Sequence, residues 1–317
     1  TAALRASAQA ATTRVAPSAA LQGRVVKMLD GSTVTLSDTP LNQATYPQSK
    51  SQKPGCGFPL LNLLVVWSSR GAPIEDVELG NQHHSELRLL HQLLPRLSAK
   101  DIAVYDRAAG HYVGCALLRD RGIDLISRVH TRCIDWRKGH RLGRNDRLVT
   151  WRKSQRKPPY LTAEQWAALP EEIPVRVIRV HVQQKGFRTR ELELVTTLLD
   201  AEAYPAAEII EAYLRRWRLE MCLDDLKTTL GLDALRCRSP AMVRRELLMV
   251  RGVTPAENRV SLCAAAESAE LGCGLDGVGG HHRHPLGEVT APHGGGVADV
   301  FEGHARAGGQ LVSQRAC

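Results

Sequence analysis

Two apolar periods alternate along this 317-residue chain: a two-residue period that marks strands and a 3.6-residue period that marks helices. RVVKMLDGSTVTLS (24–37) reads as a hairpin, with RVVKML as one strand, Asp30-Gly31 as the turn signal and TVTL as the second strand. Residues 38–57 carry Pro40, Pro47, Pro54, Gly55 and Gly57 and read as a long loop. FPLLNLLVVWSS follows as a fully buried strand. SELRLLHQLLPRL (85–97) has helical periodicity, and DIAVYD (101–106) is a short strand ending on an acid. HYVGCALLRDRG (111–122) is a helix stopped by Gly122, and IDLISRV (123–129) is the next strand. This strand–helix–strand order predicts a mixed or parallel sheet with helices on its faces.

Beyond position 130 the pattern changes. Residues 131–158 are densely basic, with Trp136 and Trp151 interleaved among the charges. A short helix around TAEQWAALP precedes two strong strands, VRVIRVHV (175–182) and ELELVTTLL (191–199), joined by KGFRTR as a hairpin loop. A long helix is predicted from about residue 206 to 230. Another starts at SPAMVRRELLMV (239–250), with Ser239 as N-cap and Pro240 at its first position. Periodicity then fades. The last 68 residues hold half of the 26 glycines and five of the 12 histidines, three of them in HHRH (281–284), but no Lys, Trp or Tyr. Such a composition is expected of a disordered tail or of an out-of-frame translation of a GC-rich gene.

Composition narrows the partners. The net charge is +9, and residues 1–249 carry 37 Lys+Arg against 26 Asp+Glu. A basic body suits a polyanion such as nucleic acid, although a merely basic soluble protein has the same balance. No apolar run is long enough to span a membrane, and the Ala-rich N-terminus lacks both an initiating Met and a signal core, as a truncated or low-complexity lead-in does. Eight scattered cysteines form no CxxC pair, so neither a zinc site nor a redox motif is indicated. Reduced thiols in a cytoplasm are the expectation.

The candidate chemistry lies on the long helix. Tyr213, Arg216, Glu220 and Lys227 are spaced Y-x2-R-x3-E-x6-K, which places them in a stripe roughly 60° wide. Apolar residues flank the stripe on both sides, so the helix is expected between layers. A buried line of such groups is costly unless something anionic or metallic meets it. Asp30 and Asp106 are two further acids at predicted strand ends. Three carboxylates brought together would supply hard oxygen ligands for magnesium or manganese and so support two-metal chemistry at a phosphodiester. Each acid also has a structural reading: Asp30 in a turn, Asp106 as a helix N-cap, Glu220 as a surface partner of Lys227. Spacing and composition alone indicate no more than a basic candidate for phosphoryl transfer.

The Y-x2-R-x3-E-x6-K motif resembles the signature of bacterial insertion-sequence transposases of the DDE class, in the insertion-sequence-four family. DGSTVTLSDTPLNQATYPQ, SQKPGCGFPLLNLL, RLGRNDRLVTWRK, ELVTTLLDAEAYP and LKTTLGLDALRCRSPAMVRRELLM are similar to the same family, over roughly residues 21–249. The resemblance implies an α/β fold: a ribonuclease H-like mixed sheet with flanking helices and a strand-rich insertion, for which the 113 residues between Asp106 and Glu220 leave room. It implies a lead-in at 1–22, the first part of the catalytic core at 23–130, a basic strand-rich insertion at 131–203, the rest of the core with the signature helix at 204–249, and an aberrant tail at 250–317.

The resemblance also implies roles. Asp30, Asp106 and Glu220 match a catalytic triad binding two Mg2+ (or Mn2+) ions, and Tyr213, Arg216 and Lys227 match positions that contact DNA phosphates, with Arg107 in support. The implied activity is cut-and-paste transposition: cleavage and strand transfer on double-stranded DNA, at inverted-repeat ends and target, by a homodimer in a synaptic complex. The implied location is the bacterial cytoplasm, on the nucleoid, with no membrane. The chain departs from the family where Ala108, Ala109 and Gly110 follow Asp106-Arg107 without the usual aromatic, and where ELLM runs into Arg251-Gly252. These departures predict a truncated or frameshifted copy, with an inactive DNA-binding remnant as the alternative and a ribonuclease H-like nuclease without transposition as a third reading.

Overall fold

The computed structural model describes residues 20–68, 74–129, 134–183, 190–216, 234–252 and 288–290. Strands β1 (Val26–Leu36), β2 (Leu60–Ser68), β3 (Ile74–Asn81), β4 (Ile102–Tyr105), β5 (Asp124–Arg128), β6 (His140–Gly143), β7 (Asp146–Arg152), β8 (Glu172–Gln183) and β9 (Arg190–Thr196) form one sheet in the order β3-β2-β1-β4-β5-β9-β8-β7-β6. Two short strands join it: β10 (Ala234–Leu235) beside β1, and β11 (Glu288–Thr290) beside β8. Strands β1, β2 and β3 are antiparallel neighbours, whereas β4 runs parallel to both β1 and β5. The helices are α1 (Pro40–Thr45), α2 (Glu86–Leu93), α3 (Tyr112–Asp120), α4 (Ala163–Ala168), α5 (206–216) and α6 (Pro240–Gly252). The fold is α/β, a mixed sheet with helices on both faces.

Three features differ from the sequence expectation. The predicted hairpin at 24–37 is a single strand: Asp30 pairs with Val65 and Gly31 with Leu64 in an unbroken ladder from Lys27 to Thr35. Nine cross-strand pairs outweigh a local Asp-Gly turn preference. The Pro-containing segment after β1 is not all loop, because Pro40 opens α1 and the Thr39 side chain caps it. Strand β3 is absent from the sequence prediction; its polar-rich IEDVELGN suits a strand at the outer edge of the sheet.

Alternation along the strands sorts the core into two faces. Leu29, Ala103 and Tyr105 pack with Leu89, Leu90 and Leu93 of α2 and with Cys115 and Leu118 of α3. Met28, Ile102 and Val104 point the other way, against Ile209, Ile210 and Tyr213 of α5. A third cluster extends that second layer with Val34 and Leu36 of β1, Leu61 and Val65 of β2, Leu235 of β10 and Val243 of α6. Ser239 hydrogen-bonds the Met242 amide at the start of α6, as its sequence predicts.

Close backbone approach sets the turn that follows β4. A Cβ on Gly110 would lie 2.0 Å from the Arg128 carbonyl oxygen, and one on Gly114 would lie 2.2 Å from that of Ala109. The glycines let α3 dock directly against the turn. His111 caps α3, its Nδ1 accepting from the Val113 amide at 3.1 Å and the Gly114 amide at 3.4 Å.

A buried ion pair between β7 and β8 is linked to the segment ahead of α5. The Arg176 guanidinium on β8 is 1% exposed and donates through Nε to Asp146 of β7 at 2.9 Å. Its Nη1 donates to the Tyr204 carbonyl at 2.6 Å, in the segment leading into α5. Strand β9 closes the junction by antiparallel pairing with β5.

Two outcomes are expected. Asp146→Ala strands a buried guanidinium, so urea denaturation should show a loss of about 3–5 kcal/mol. Burial lowers the His111 pKa below 6.5, and the cap needs the neutral ring. The unfolded chain therefore binds more protons as pH falls through about 6.5, and stability is lost in that direction and recovered above it. Melting curves from pH 5 to 8 should show a flatter profile for His111→Asn, which keeps an N-cap acceptor, while His111→Ala loses about 1 kcal/mol at pH 8.

Candidate active site

Two of the three predicted acids come together. Leu29 of β1 is the register partner of Tyr105 in the parallel ladder with β4, so Asp30 and Asp106 are the next residues on neighbouring strands, which lie about 4.8 Å apart. Alternation puts Asp30 on the same face as Met28, the face covered by α5. Asp30 lies within a strand rather than in a turn. Beyond Leu29, β1 is paired with β2 on one edge, while its other edge meets β10 only at Thr35. The acids therefore stand where β4 ends and β1 continues.

Asp106 does not serve as a side-chain cap. It precedes a 3-10 turn, Arg107–Ala109, without any side-chain capping bond. Instead its Oδ1 accepts a hydrogen bond from the Tyr213 hydroxyl at 3.1 Å and faces Arg216 Nη2 at 3.6 Å. The side chain of Asp106 is 46% exposed and that of Arg216 only 6%. The Arg216 guanidinium also lies over the Tyr213 ring, 5.3 Å from its centroid. Burial, with Arg216 opposing it, pushes the Tyr213 phenol well above its ordinary pKa, so the hydroxyl keeps its proton at neutral pH. Arg107 is exposed beside this pair.

Tyr213 and Arg216 belong to α5, whereas Glu220 and Lys227 lie outside the described residues, as does HHRH (281–284). Among the described residues no three His, Cys, Asp or Glu side chains cluster tightly enough to hold a metal ion. The donor set nevertheless suits a hard cation: two carboxylates side by side on neighbouring strands, one of them half exposed.

A fourth acid escapes sequence reasoning. Glu86 opens α2, and its carboxylate lies over Gly31, where a Cβ would come within 2.4 Å of Oε1. Its Oε2 accepts from the Tyr105 hydroxyl at 3.4 Å. Burial, with a further contribution from Asp106, raises the Glu86 pKa. Its only sequence signal is an acid in the first turn after Ser85, which is the ordinary mark of a helix start. Ser32, Thr33, Asn62, His84 and Ser85 join Glu86 around a cavity of about 230 Å³ beside Gly31.

The basic segment is a β6–β7 hairpin and its flanks. Arg137, Arg141, Arg144, Arg152, Arg156 and Lys157 are exposed there. The tryptophans are inward parts of the fold: Trp136 lies under the Arg179 guanidinium at 4.2 Å, Trp166 makes an edge contact with Tyr112, and Trp151 packs on the main core.

The family model of the transposase DDE domain matches residues 21–253. The transposase InsG for insertion sequence element IS4 of Escherichia coli (strain K12) is 24% identical over 233 residues, which cover 71% of this chain and 49% of that protein. The chain thus spans about half the length of the curated relative it matches. Among solved structures, the piggyBac transposase synaptic complex with hairpin DNA aligns with a TM-score of 0.39 and 8% identity, over 75% of this chain and 48% of that one. Among the described residues no helix is long and apolar enough to cross a membrane. With the match reaching from the start of β1 to the end of α6, the chain belongs to the transposase DDE domain family.

Proposed function

We propose that this chain carries the catalytic core of a cut-and-paste DNA transposase, with Asp30, Asp106 and Glu220 as the acids that hold two divalent cations, Mg2+ or Mn2+. The observation that carries the reading is the pairing of Leu29 with Tyr105, which sets Asp30 and Asp106 side by side under α5. When bound, the cations would polarise the scissile phosphate and offset charge on the entering and leaving oxygens.

The chain's own residues supply position and charge. Arg216 and Lys227 suit phosphate oxygens, the first by a planar fork and the second as a point charge, and exposed Arg107 borders the same site. In the first step water attacks phosphorus and breaks the bond to the 3′ oxygen, which leaves as a hydroxyl carrying a proton in exchange for the one water loses. In the second step that 3′ hydroxyl attacks a second phosphodiester and displaces its 3′ oxygen, which leaves as a hydroxyl with a proton in exchange for the one the attacking group loses. The substrates are double-stranded transposon ends and target DNA, brought together in a homodimeric synaptic complex on the bacterial nucleoid. The exposed arginines of the β6–β7 hairpin supply sequence-independent attraction to the backbone.

Strand transfer on end-matched duplexes with Mg2+ tests the assignment. Asp30→Asn, Asp106→Asn and Glu220→Gln should each lower the rate by at least about 10³-fold, the several kcal/mol expected of lost charge stabilisation, with end binding little changed. A wild-type rate for Glu220→Gln would overturn the triad, and binding without cleavage by the unaltered chain would mark it as an inactive remnant. Replacing Arg141 and Arg144 together by Ala should reduce the slope of log K against log salt by about two, equally on end and random DNA.

A further inference from the structure

Between α1 and β2 the chain makes a loop, residues 46–59, that is braced by side-chain amides. Gln48 Oε1 accepts from the Gly55 amide at 3.0 Å and the Gly57 amide at 3.2 Å, and its Nε2 donates to the Lys53 carbonyl at 2.7 Å. Gln43 Oε1 accepts from the Gln48 amide at 3.0 Å, and its Nε2 donates to the Gly57 carbonyl at 2.9 Å. Gln82, just past β3, accepts from the Lys50 amide at 2.9 Å. Gly55 takes the left-handed backbone, φ 78°, at the bend. Bonds of this kind gain little apolar burial for the loop. What they do is fix the side chains that it presents, which lowers the cost of ordering them on a partner.

The presented face is cationic and aromatic. Residues 46–59 contain Lys50 and Lys53, both exposed, and no Asp or Glu. Phe58 is 60% exposed although Gly57 and Pro59 on either side of it are buried. The backbone thus turns the ring outward from an anchored position. The Leu36 amide donates to the Pro59 carbonyl at 2.9 Å, so Phe58 stands beside the far end of β1. Leu36 is six residues on from Asp30, roughly 20 Å at the rise of a strand. A duplex with one phosphate at the acids reaches the loop about six base pairs further on.

We propose that this loop is a contact for target DNA: Lys50 and Lys53 meet backbone phosphates, and the Phe58 ring wedges against a base step. Lysine reads charge, and a phenyl ring has no donor or acceptor with which to tell base edges apart. The three side chains therefore suit a duplex of any sequence, as a target is, rather than the fixed ends of an element. An apolar wedge bends the duplex where it unstacks a step. The inference rests on the active-site reading above for the role of that duplex, but not for the contact itself.

The test uses the full chain and a short random-sequence duplex with 2-aminopurine in a TA step, whose fluorescence rises on unstacking. The unaltered chain should raise the signal. Phe58→Ala should abolish the rise and weaken affinity about tenfold, the loss of one stacked base, while Phe58→Leu, which keeps an apolar wedge, retains most of both. Replacing Lys50 and Lys53 together by Ala should reduce the slope of log K against log salt by about two. Joining of pre-cleaved ends should need about tenfold more target with Phe58→Ala, and affinity for a short end duplex should stay within about twofold. An unchanged signal and affinity in Phe58→Ala would overturn the proposal, and an equal loss on end DNA would overturn it by assigning the loop to the ends. If the signal depends on Phe58 but the unaltered chain joins no ends, the contact stands and the active-site reading fails.

Discussion

The parallel ladder between β1 and β4 is the constraint on which the site depends. Four register pairs, from Val26 with Ile102 to Leu29 with Tyr105, fix it, and β2 on one side and β5 on the other prevent it from slipping. A slip of one residue would turn every β4 side chain to the opposite face. Tyr105 would then point at α5 and Asp106 away from it. The alternation that buries Val104 against Ile209 and Tyr105 against α2 therefore also decides where the second acid stands. The chemistry inherits its geometry from hydrophobic sorting.

That sorting depends in turn on α5 being held over the sheet. The apolar face of the helix contributes part of the hold, and Arg176 contributes another. Its buried guanidinium joins Asp146 in the insertion to the carbonyls of Asp200 and Tyr204 ahead of the helix. A buried ion pair adds little net stability compared with a well-packed apolar substitute, but losing one partner costs several kcal/mol. Such a pair is better understood as fixing one arrangement over others. Here the arrangement is the approach of the chain to Tyr213 and Arg216, so Asp146 of β7 has a bearing on their placement without touching them.

Much of this was legible in the sequence where local and global preferences agree. The helices at 85–97 and 111–122, the strand ending at Asp106 and the N-cap at Ser239 each carry a local signal that the packing reinforces. The failure at Asp30-Gly31 has a physical cause: a two-residue turn signal competes with a ladder whose partner strand lies some 30 residues away, and one sequence window contains only the first. Gly31 is then free for a second use, the close approach of Glu86. Strand β3 eluded the apolar count because Glu75, Asp76, Glu78 and Asn81 interrupt it, yet Lys27 and Arg96 meet three of those acids as ion pairs. In the candidate site, Asp30 and Asp106 stand out in the sequence as acids at predicted strand ends, but the contact between Tyr213 and Asp106 does not. A helical stripe says which side chains share a face, not what that face meets.

Electrostatics gives the arrangement its last consequence. The Tyr105 hydroxyl lies in the field of Glu86, Asp30 and Asp106 together, and with burial they drive its pKa far upward. Glu86 stands on the α2 face of the strand pair, while Asp30 and Asp106 share the face covered by α5. Glu86 answers by a raised pKa on the α2 face, and Asp106 by the Tyr213 hydroxyl and the Arg216 charge on the other.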